Sequence, residues 1–450
     1  MKIVLIQTPV WGTREPPLSI VQLAGQLKSR GFEVKSFDLN NYLYNFQKEN
    51  YRYLWAWEQS LFWYNQRQVE EFFKDINHLI EDYIEKILEE EPDIIGMSVF
   101  ASTYYSTVEL IKKIKEKNKF IKIIVGGQLF LDNRYVENIF RNCNVDFVVI
   151  GEGEETLPEL LTLLEMNKDI SLCKGLYLKE NNNLKFTGKR DLIKNLDNLA
   201  YMDFSDLKID NYDDKEHILM MTSRGCVWNC YFCSSRNFWQ GYRQMSAERI
   251  YQEIVYHRLV SKSTIQHFDF ADLVFNADIK RVMDFCNLLI KYPPFPKELK
   301  IDWEANAIIV PEMNYDFFCL LKESGCERLF FGIESGSQEV LNKMNKPYKI
   351  SDAIRVIKDA TKANLNVTLN FMFGFPGETE EDFQKTLNFI EEVAHPLVRV
   401  YPSRTFCALE ENSYIYKYPQ KFGIKIPFNH HLYWETKDGD NTYPIRLKRC

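Results

Sequence analysis

At 450 residues, with 45% hydrophobic and 26% charged positions, the chain has ordinary globular composition and enough length for two or three separate cores. A net charge of −7 excludes a broad phosphate-binding face, which needs clustered Lys and Arg, so no nucleic-acid partner is expected. No apolar run reaches the roughly 20 residues of a membrane-spanning helix, and no membrane partner is expected either.

The opening MKIVLIQTPVWG is apolar only briefly and runs into Thr, Pro and Arg where a small-residue cleavage site would fall. It is expected as a buried first strand rather than a signal peptide, and the protein as cytoplasmic. KIVLIQTP (2–9), EVKSFDL (33–39), DIIGMSVF (93–100), IKIIVGG (121–127) and DFVVIGEG (146–153) have the β-branched density of strands. Helical spacing separates them at 19–31, 106–118 and 133–141. This alternation predicts an α/β domain over 1–170, a doubly wound parallel sheet of Rossmann-like form, with any ligand at the carboxyl ends of the strands. Residues 41–90 interrupt the rhythm with NYLYNFQKENYRYLWAWEQSLFWYNQR and a charged amphipathic stretch at 68–90. They are expected as a helical insertion covering one edge, packed as core more readily than opened as a cap over a ligand.

Residues 171–215 hold a hairpin-like GLYLKENNNLKFTGK and an Asp-rich stretch without period, expected as a linker. The βα alternation resumes over 216–410. Strands are expected at 217–223, 265–272, 299–306, 328–335, 366–374 and 398–404, and helices at 246–260, 277–291, 312–324, 337–344, 351–363 and 380–394. Ser351, and Thr379 with Asp382 three residues on, are the expected N-caps of the last two helices. Six βα units imply a partial (β/α)6 barrel of TIM type with its active site at the carboxyl ends of the strands, followed by an extension over 411–450.

Seven of the ten cysteines are scattered singly: Cys143, Cys173, Cys286, Cys319, Cys326, Cys407 and Cys450. Buried free thiols account for most of them. The other three, in TSRGCVWNCYFCSSR, follow a strand in the pattern C-x3-C-x2-C: Cys226, Cys230 and Cys233. Soft thiolates at this spacing suit three corners of a [4Fe–4S] cube. With no fourth cysteine nearby, one iron stays open to another ligand. The alternative is a zinc site completed by His217 or His267, but such sites usually pair two cysteine knuckles and only one is present.

C-x3-C-x2-C with Phe232 before the last cysteine resembles the signature of the radical S-adenosylmethionine (SAM) superfamily. The resemblance implies that SAM binds the open iron through its amino and carboxylate groups. It extends to FDFADLVFN, placing Asp272 toward the SAM amino group. In LFFGIESGSQEVLNKMNKP, Glu334 and Ser335 would meet the ribose. In FMFGFPGET, Gly374, Pro376 and Gly377 would lie near adenine.

The N-terminal half is similar to the cobalamin-binding domains that precede some radical SAM barrels. REPPLSIVQLAGQLKSRGFEV, DIIGMSVFASTYYST, IKIIVGGQ and VDFVVIGEGEETLPELL carry the likeness, with Ser98, Ser102, Thr103, Gly126, Gly127, Gly151 and Gly153 as cobalamin-side positions. The loop QTPVWGTREPP lacks the histidine of Asp-x-His-x-x-Gly domains, so the resemblance implies base-off cobalamin without a His ligand. A scaffold that has lost the cofactor is the alternative.

The two likenesses together imply a methyltransferase that uses methylcobalamin and a 5′-deoxyadenosyl radical on an unactivated carbon of a small molecule or natural product. A low-potential donor such as flavodoxin or ferredoxin would supply electrons. A cyclase or ring-rearranging enzyme shares the motifs. A methylthiotransferase would need a second cysteine trio in the N-terminal domain, and a non-catalytic iron–sulfur or cobalamin sensor would bind no SAM. No general acid or base stands out: Tyr104, Glu304 and Tyr401 fall near expected strand ends, and packing explains them equally well. His430 and His431 in the tail are expected at the surface or substrate side.

Overall fold

The structure, a computed structural model, describes residues 1–46, 49–181, 183–259, 265–294, 301–402, 406–426 and 432–449. His430, His431 and Cys450 lie outside the described residues, as do parts of the strands expected at 299–306 and 398–404. Two compact units divide the chain: Met1–Leu219 with Leu259–Ile265, and Met220–Arg258 with Gln266–Cys450.

In the first unit β1 (Lys2–Gln7), α1 (Leu18–Ser29), β2 (Glu33–Asp38), the insertion helices α2 (Leu39–Phe46), α3 (Ser60–Trp63), α4 (Gln66–Asp75) and α5 (Asn77–Leu88), β3 (Ile94–Ser98), α6 (Tyr104–Lys117), β4 (Lys122–Gly126), α7 (Asn133–Asn142), β5 (Phe147–Val149) and α8 (Gly153–Glu165) follow in order. Then come β6 (Leu176–Glu180) and β7 (Asn183–Phe186). The sheet order is β2-β1-β3-β4-β5-β6-β7, parallel from β2 to β5 as the alternation predicts.

Two expectations change. The hairpin inside the expected linker is part of the sheet: β6 and β7 add antiparallel strands beyond β5, with Leu176 buried and Tyr177 stacked on its cross-strand partner Phe186 at 4.7 Å. The Asp-rich stretch also belongs to this unit. Asp203 and Asp206 pair with Lys28 at 2.9 and 3.0 Å and Asp206 with Lys35 at 3.0 Å, while Leu196, Met202 and Phe204 are buried. Its acids complement lysines of α1 and β2, so polarity here marks pairing and not a free tether. The aromatic insertion packs as core. Trp63 and Phe73 are buried in the cluster that includes Val4, Ile95 and Ile123, and the Trp63 indole donates to Leu54 O at 2.8 Å. Each such side chain contributes roughly 1.5–3 kcal/mol on burial.

The second unit holds β8 (His217–Met220), in which the division between units falls, then β9 (Ser223–Arg224), β10 (Arg243–Gln244), α9 (Ala247–Leu259), β11 (His267–Phe270), α10 (Ile279–Lys291), β12 (Asp302–Ala307), α11 (Tyr315–Glu323) and β13 (Cys326–Glu334). It continues with α12 (Gln338–Met344), α13 (Ile350–Lys362), β14 (Asn366–Phe371), α14 (Glu380–Glu392), β15 (Val398–Pro402), α15 (Tyr414–Lys417), β16 (Ile424–Lys425), β17 (Glu435–Thr436) and α16 (Tyr443–Arg449). The main sheet runs β15-β14-β13-β12-β11-β8, in chain order. The pairs from β11 to β15 are parallel, the arrangement of a partial (β/α)6 barrel.

Phe268, Phe270, Phe285 and Trp303 fill the space between strands and helices; Phe270 stacks on Phe275 at 4.7 Å. Thr379 and Asp382 form the expected reciprocal cap of α14, each backbone N–H meeting the other side chain at 3.1 Å. Ser351 is not a cap. Gln338 Oε1 accepts from Ile350 N at 3.0 Å, which starts α13 one residue earlier and leaves Ser351 exposed in its first turn. The extension expected over 411–450 is an integral part of this unit, with Trp434 and Arg446 both fully buried.

Asp38, at the end of β2, accepts from Tyr212 Oη at 2.7 Å and Asn41 N at 2.9 Å; burial nonetheless pushes its carboxyl up to about 6. A raised folded-state value means this group favours folding below the unfolded carboxyl range and loses that contribution as pH rises through about 6. Asp38→Asn is therefore expected to gain on the order of 2 kcal/mol over the parent at pH 8 and none at pH 4. Urea unfolding of both proteins at the two pH values measures the difference; an equal difference at both pH values contradicts it.

Candidate functional site

The three-cysteine loop leaves the carboxyl end of β8 and is tied at its root. Asp272, just past β11 and 1% exposed, accepts from Thr222 N and Oγ1, both at 2.6 Å, and from Ser223 N at 2.9 Å. The Arg281 guanidinium opposes the upward push that burial exerts on this carboxyl. β9 pairs with β10 and closes the loop's two ends. There Gly225, at φ +85°, passes so near Gly241 that a Cβ would stand 1.7 Å from the Gly241 carbonyl oxygen, which only glycine permits.

Beyond this root, two segments grip the loop. Met344 O accepts from Tyr231 N at 3.0 Å and Asn345 Nδ2 donates to Asn229 O at 2.7 Å. Tyr348 stacks on Trp228 at 5.8 Å, with the Lys346 ammonium 5.5 Å from the Trp228 ring. From the C-terminal side, Ile415 N donates to Tyr231 O at 3.0 Å and Tyr414 stacks on Tyr231 at 4.6 Å.

Cys226, Cys230 and Cys233 are free thiols, all half-buried. They feel one another's charge: Cys226 and Cys233 both act on Cys230. Burial pushes the Cys230 thiol up to about 12 and Cys226 upward as well, with Lys346 opposing both shifts. Cys226 and Cys230 therefore stay protonated at neutral pH unless a metal takes the proton's place. Soft sulfur donors held together on a braced loop fit an iron–sulfur cube. The zinc alternative fails on position. His267 opens β11, five residues and roughly 16 Å of strand before Asp272 and the loop root, and is 3.9 Å from Glu304. His217 opens β8, before the whole strand that leads to the loop, and lies 3.7 Å from Glu15. Of the remaining cysteines Cys143, Cys173, Cys286, Cys326 and Cys407 are buried and Cys319 is half-buried.

The SAM-side residues divide. Glu334, at the end of β13 where the register slips against β14, is half-buried, with φ +68°; its Oε1 lies 3.2 Å from Lys346 Nζ, which also donates to Gly332 O. Phe232 is half-buried between two cysteines. Asp272 has both oxygens hydrogen-bonded to Thr222 and Ser223, which makes it a strut of the cysteine loop. Ser335 is fully buried, 3.2 Å from Thr386 Oγ1 and accepting from Ser337 N; it shapes the turn into α12. Gly374 and Pro376 are buried. Protein fills the space at both glycines of this loop: a Cβ on Gly374 would stand 2.3 Å from Arg446 Cγ, and one on Gly377 3.2 Å from Lys343 Nζ.

In the first unit Ser98 and Gly126 end neighbouring strands in register. Gly126, Gly127 and Gly153 are small because Val149, Val99 and Leu23 press on them, whereas Gly151 borders open space. Ser102 Oγ donates to Val10 O at 3.2 Å, Ser106 Oγ donates to Pro9 O, and Thr103 Oγ1 accepts from Phe100 N at 2.9 Å. These hydroxyls therefore hold the loop after β1 and the start of α6, where cobalamin contact was expected. That loop offers Trp11, stacked on Phe100 at 4.4 Å, and no imidazole. Tyr104 is core, packed on Tyr105 and Tyr135, its hydroxyl pushed upward by burial. Glu304 is buried in the first half of β12 and so lies away from the carboxyl end. Tyr401 is half-exposed near the carboxyl end of β15.

Comparison with known proteins agrees with this arrangement. The Radical SAM superfamily model matches residues 220–390 and the B12 binding domain model residues 65–161. PH0819 of Pyrococcus horikoshii, described as an uncharacterized methyltransferase, is 33% identical over 325 residues, 71% of this chain and 67% of that protein. The anaerobic magnesium-protoporphyrin IX monomethyl ester cyclase of Rubrivivax gelatinosus is 26% identical over 69% of this chain. This chain spans 56% of that protein's length. Among solved structures, the radical SAM methyltransferase TsrM from Kitasatospora setae, with cobalamin and a [4Fe–4S] cluster bound, superimposes with a TM-score of 0.66. Identity is 16%, over 95% of this chain and 76% of that one, so it speaks for the fold. The protein is thus a two-part α/β enzyme, a B12-binding domain followed by a radical SAM barrel. It belongs to the radical SAM superfamily, in the group that carries such a domain.

Lys346, Glu378, Arg446 and Arg449 escaped sequence reading. Glu378 and Lys346 lay in plain view within the quoted FMFGFPGET and LFFGIESGSQEVLNKMNKP, while Arg446 and Arg449 belong to the basic run RLKR, whose burial no spacing betrays.

Asp272→Ala is expected to cost about 3–5 kcal/mol, because it strands buried donors and Arg281, and to lower the iron retained after reconstitution. A variant with unchanged unfolding midpoint and iron content, but weaker SAM binding, would restore Asp272 to the ligand side.

Proposed function

We propose that this protein is a cobalamin-dependent radical SAM methyltransferase acting on an unactivated carbon of a small-molecule or natural-product substrate. The observation that carries this reading is the trio of half-buried free thiols on a braced loop at the carboxyl end of the parallel sheet, which supplies three soft donors and no fourth. Cys226, Cys230 and Cys233 would hold the cluster. Phe232, Glu334 and the backbone beyond β14 would border SAM. Gly151, Ser98 and the loop after β1 would border cobalamin, base-off because that loop presents Trp11, stacked on Phe100, and no histidine. When bound, these groups supply a carbon-centred radical and a transferable methyl group.

The chain's own part is placement. Asp272 and the β9–β10 pair set where the thiols stand. Lys346 puts a cation beside them and steadies Glu334. Tyr231, Tyr414, Trp228 and Tyr348 pack around the loop and limit water near it. A low-potential donor such as flavodoxin or ferredoxin would supply the electron. No helix among the described residues is long and apolar enough to cross a membrane. A cyclase is the second reading, favoured by the resemblance to the Rubrivivax enzyme over most of the chain.

Anaerobic protein reconstituted with iron, sulfide and cobalamin is expected to carry four irons and one cobalt per chain. Changing all three cysteines to alanine should abolish the iron and leave the cobalt. With substrate, a methylated product and S-adenosylhomocysteine alongside 5′-deoxyadenosine support methyl transfer, whereas deoxyadenosine alone supports the cyclase. Protein that takes up zinc in place of iron contradicts both.

A further inference from the structure

The C-terminal residues 432–449 carry no motif, yet they contain the most deeply buried arginine among the described residues of the second unit. Arg446 is fully buried. It donates to Asn441 Oδ1 at 2.9 Å and to Leu432 O and Trp434 O, both at 2.8 Å, and lies 3.9 Å over the Trp434 ring. Those acceptors are neutral, and burial pulls the Arg446 guanidinium down to about 10. Burying a charge among neutral partners is costly, and the hydrogen bonds and ring contact of Arg446 offset that cost.

What it touches is the loop after β14. The Arg446 methylenes occupy the space that Gly374 leaves open. Asn441 Nδ2 donates to Gly374 O at 2.9 Å. On the other side of the same residue, Gly374 N donates to Glu378 Oε2 at 2.7 Å, and that oxygen accepts from Arg449 at 2.9 Å. Arg449 reaches Glu380 as well, at 3.1 Å. Both polar atoms of the Gly374 backbone, at φ +77°, are thus tied to α16 or to the turn before it. Trp434 Nε1 donates to Cys407 O at 2.6 Å, which anchors the near end of the segment to the chain after β15.

We propose that residues 432–449 form a brace that fixes the left-handed backbone of Gly374, and with it the wall that the 374–378 loop gives the SAM site. Arg449 is its positioning residue, acting through Glu378. This rests on the radical SAM reading of the loop. Arg449 touches no reacting atom. Its effect passes through one buried carboxylate to one backbone N–H, and a shift of that N–H moves the wall against which the nucleoside end of SAM lies.

The test uses the full chain, reconstituted anaerobically. Arg449→Met is expected to weaken SAM binding, measured by equilibrium dialysis with labelled SAM, about tenfold, while iron content and cluster absorbance match the parent. Arg449→Lys should recover most of the affinity. Since Arg449→Met leaves Glu378 buried without its cation, the double variant Glu378→Gln/Arg449→Met serves as the second probe: its thermal midpoint should return toward the parent's while SAM affinity stays weakened. Parental SAM affinity in folded Arg449→Met protein, or affinity that recovers together with the midpoint in the double variant, overturns the brace and leaves a purely structural ion pair. Parent protein that holds its cluster but binds no SAM overturns the underlying reading instead.

Discussion

The second unit depends on one buried carboxylate. Asp272 sits where β11 ends and collects both N–H groups and the hydroxyl that begin the cysteine loop. A charge removed from water in this way is tolerable only when its lone pairs are all answered, and the answering donors are the root of the loop. The geometry of the thiols is therefore inherited from the sheet: strand ends fix Asp272, Asp272 fixes residues 222–223, and these set the direction in which Cys226, Cys230 and Cys233 depart. The grip of residues 344–348 and 414–415 on Asn229 and Tyr231 completes a support in which each side of the loop meets a different part of the barrel.

The two units use small and hydroxyl residues differently from what a ligand-centred view anticipates. Gly126, Gly127, Gly374 and Gly377 all look like places for a cofactor to press on backbone, yet a Cβ at each would meet protein atoms. Ser102, Thr103 and Ser335 are spent on turns and caps. Residues of this kind serve here to hold the backbone, whereas Glu334 and Phe232 are half-buried and Gly151 borders open space.

Much of this was legible in the chain. The helices of the second half appear within a few residues of where periodicity puts them, because each faces a parallel sheet through a continuous apolar stripe. The cysteine spacing needs no tertiary information, and the Thr379–Asp382 cap is written in its four residues. What could not be read has a common cause. Asp203 and Asp206 looked like linker because the lysines that pair with them stand some 170 positions away. The aromatic run at 41–90 could equally have been a lid. Arg446 and Arg449 resemble any solvated basic tail until the loop they enter is known.

By itself the sequence determined the alternation of strands and helices, hence the parallel sheets, and the trio of thiols in one short loop; these depend on neighbours along the chain. Only the tertiary structure decided which polar groups are structural and which face outward. It made Asp272 a strut of the cysteine loop, Ser335 part of a turn, and the C-terminal segment the partner of Gly374. A side chain's role depends on what surrounds it after folding, and burial brings together groups that no local pattern connects.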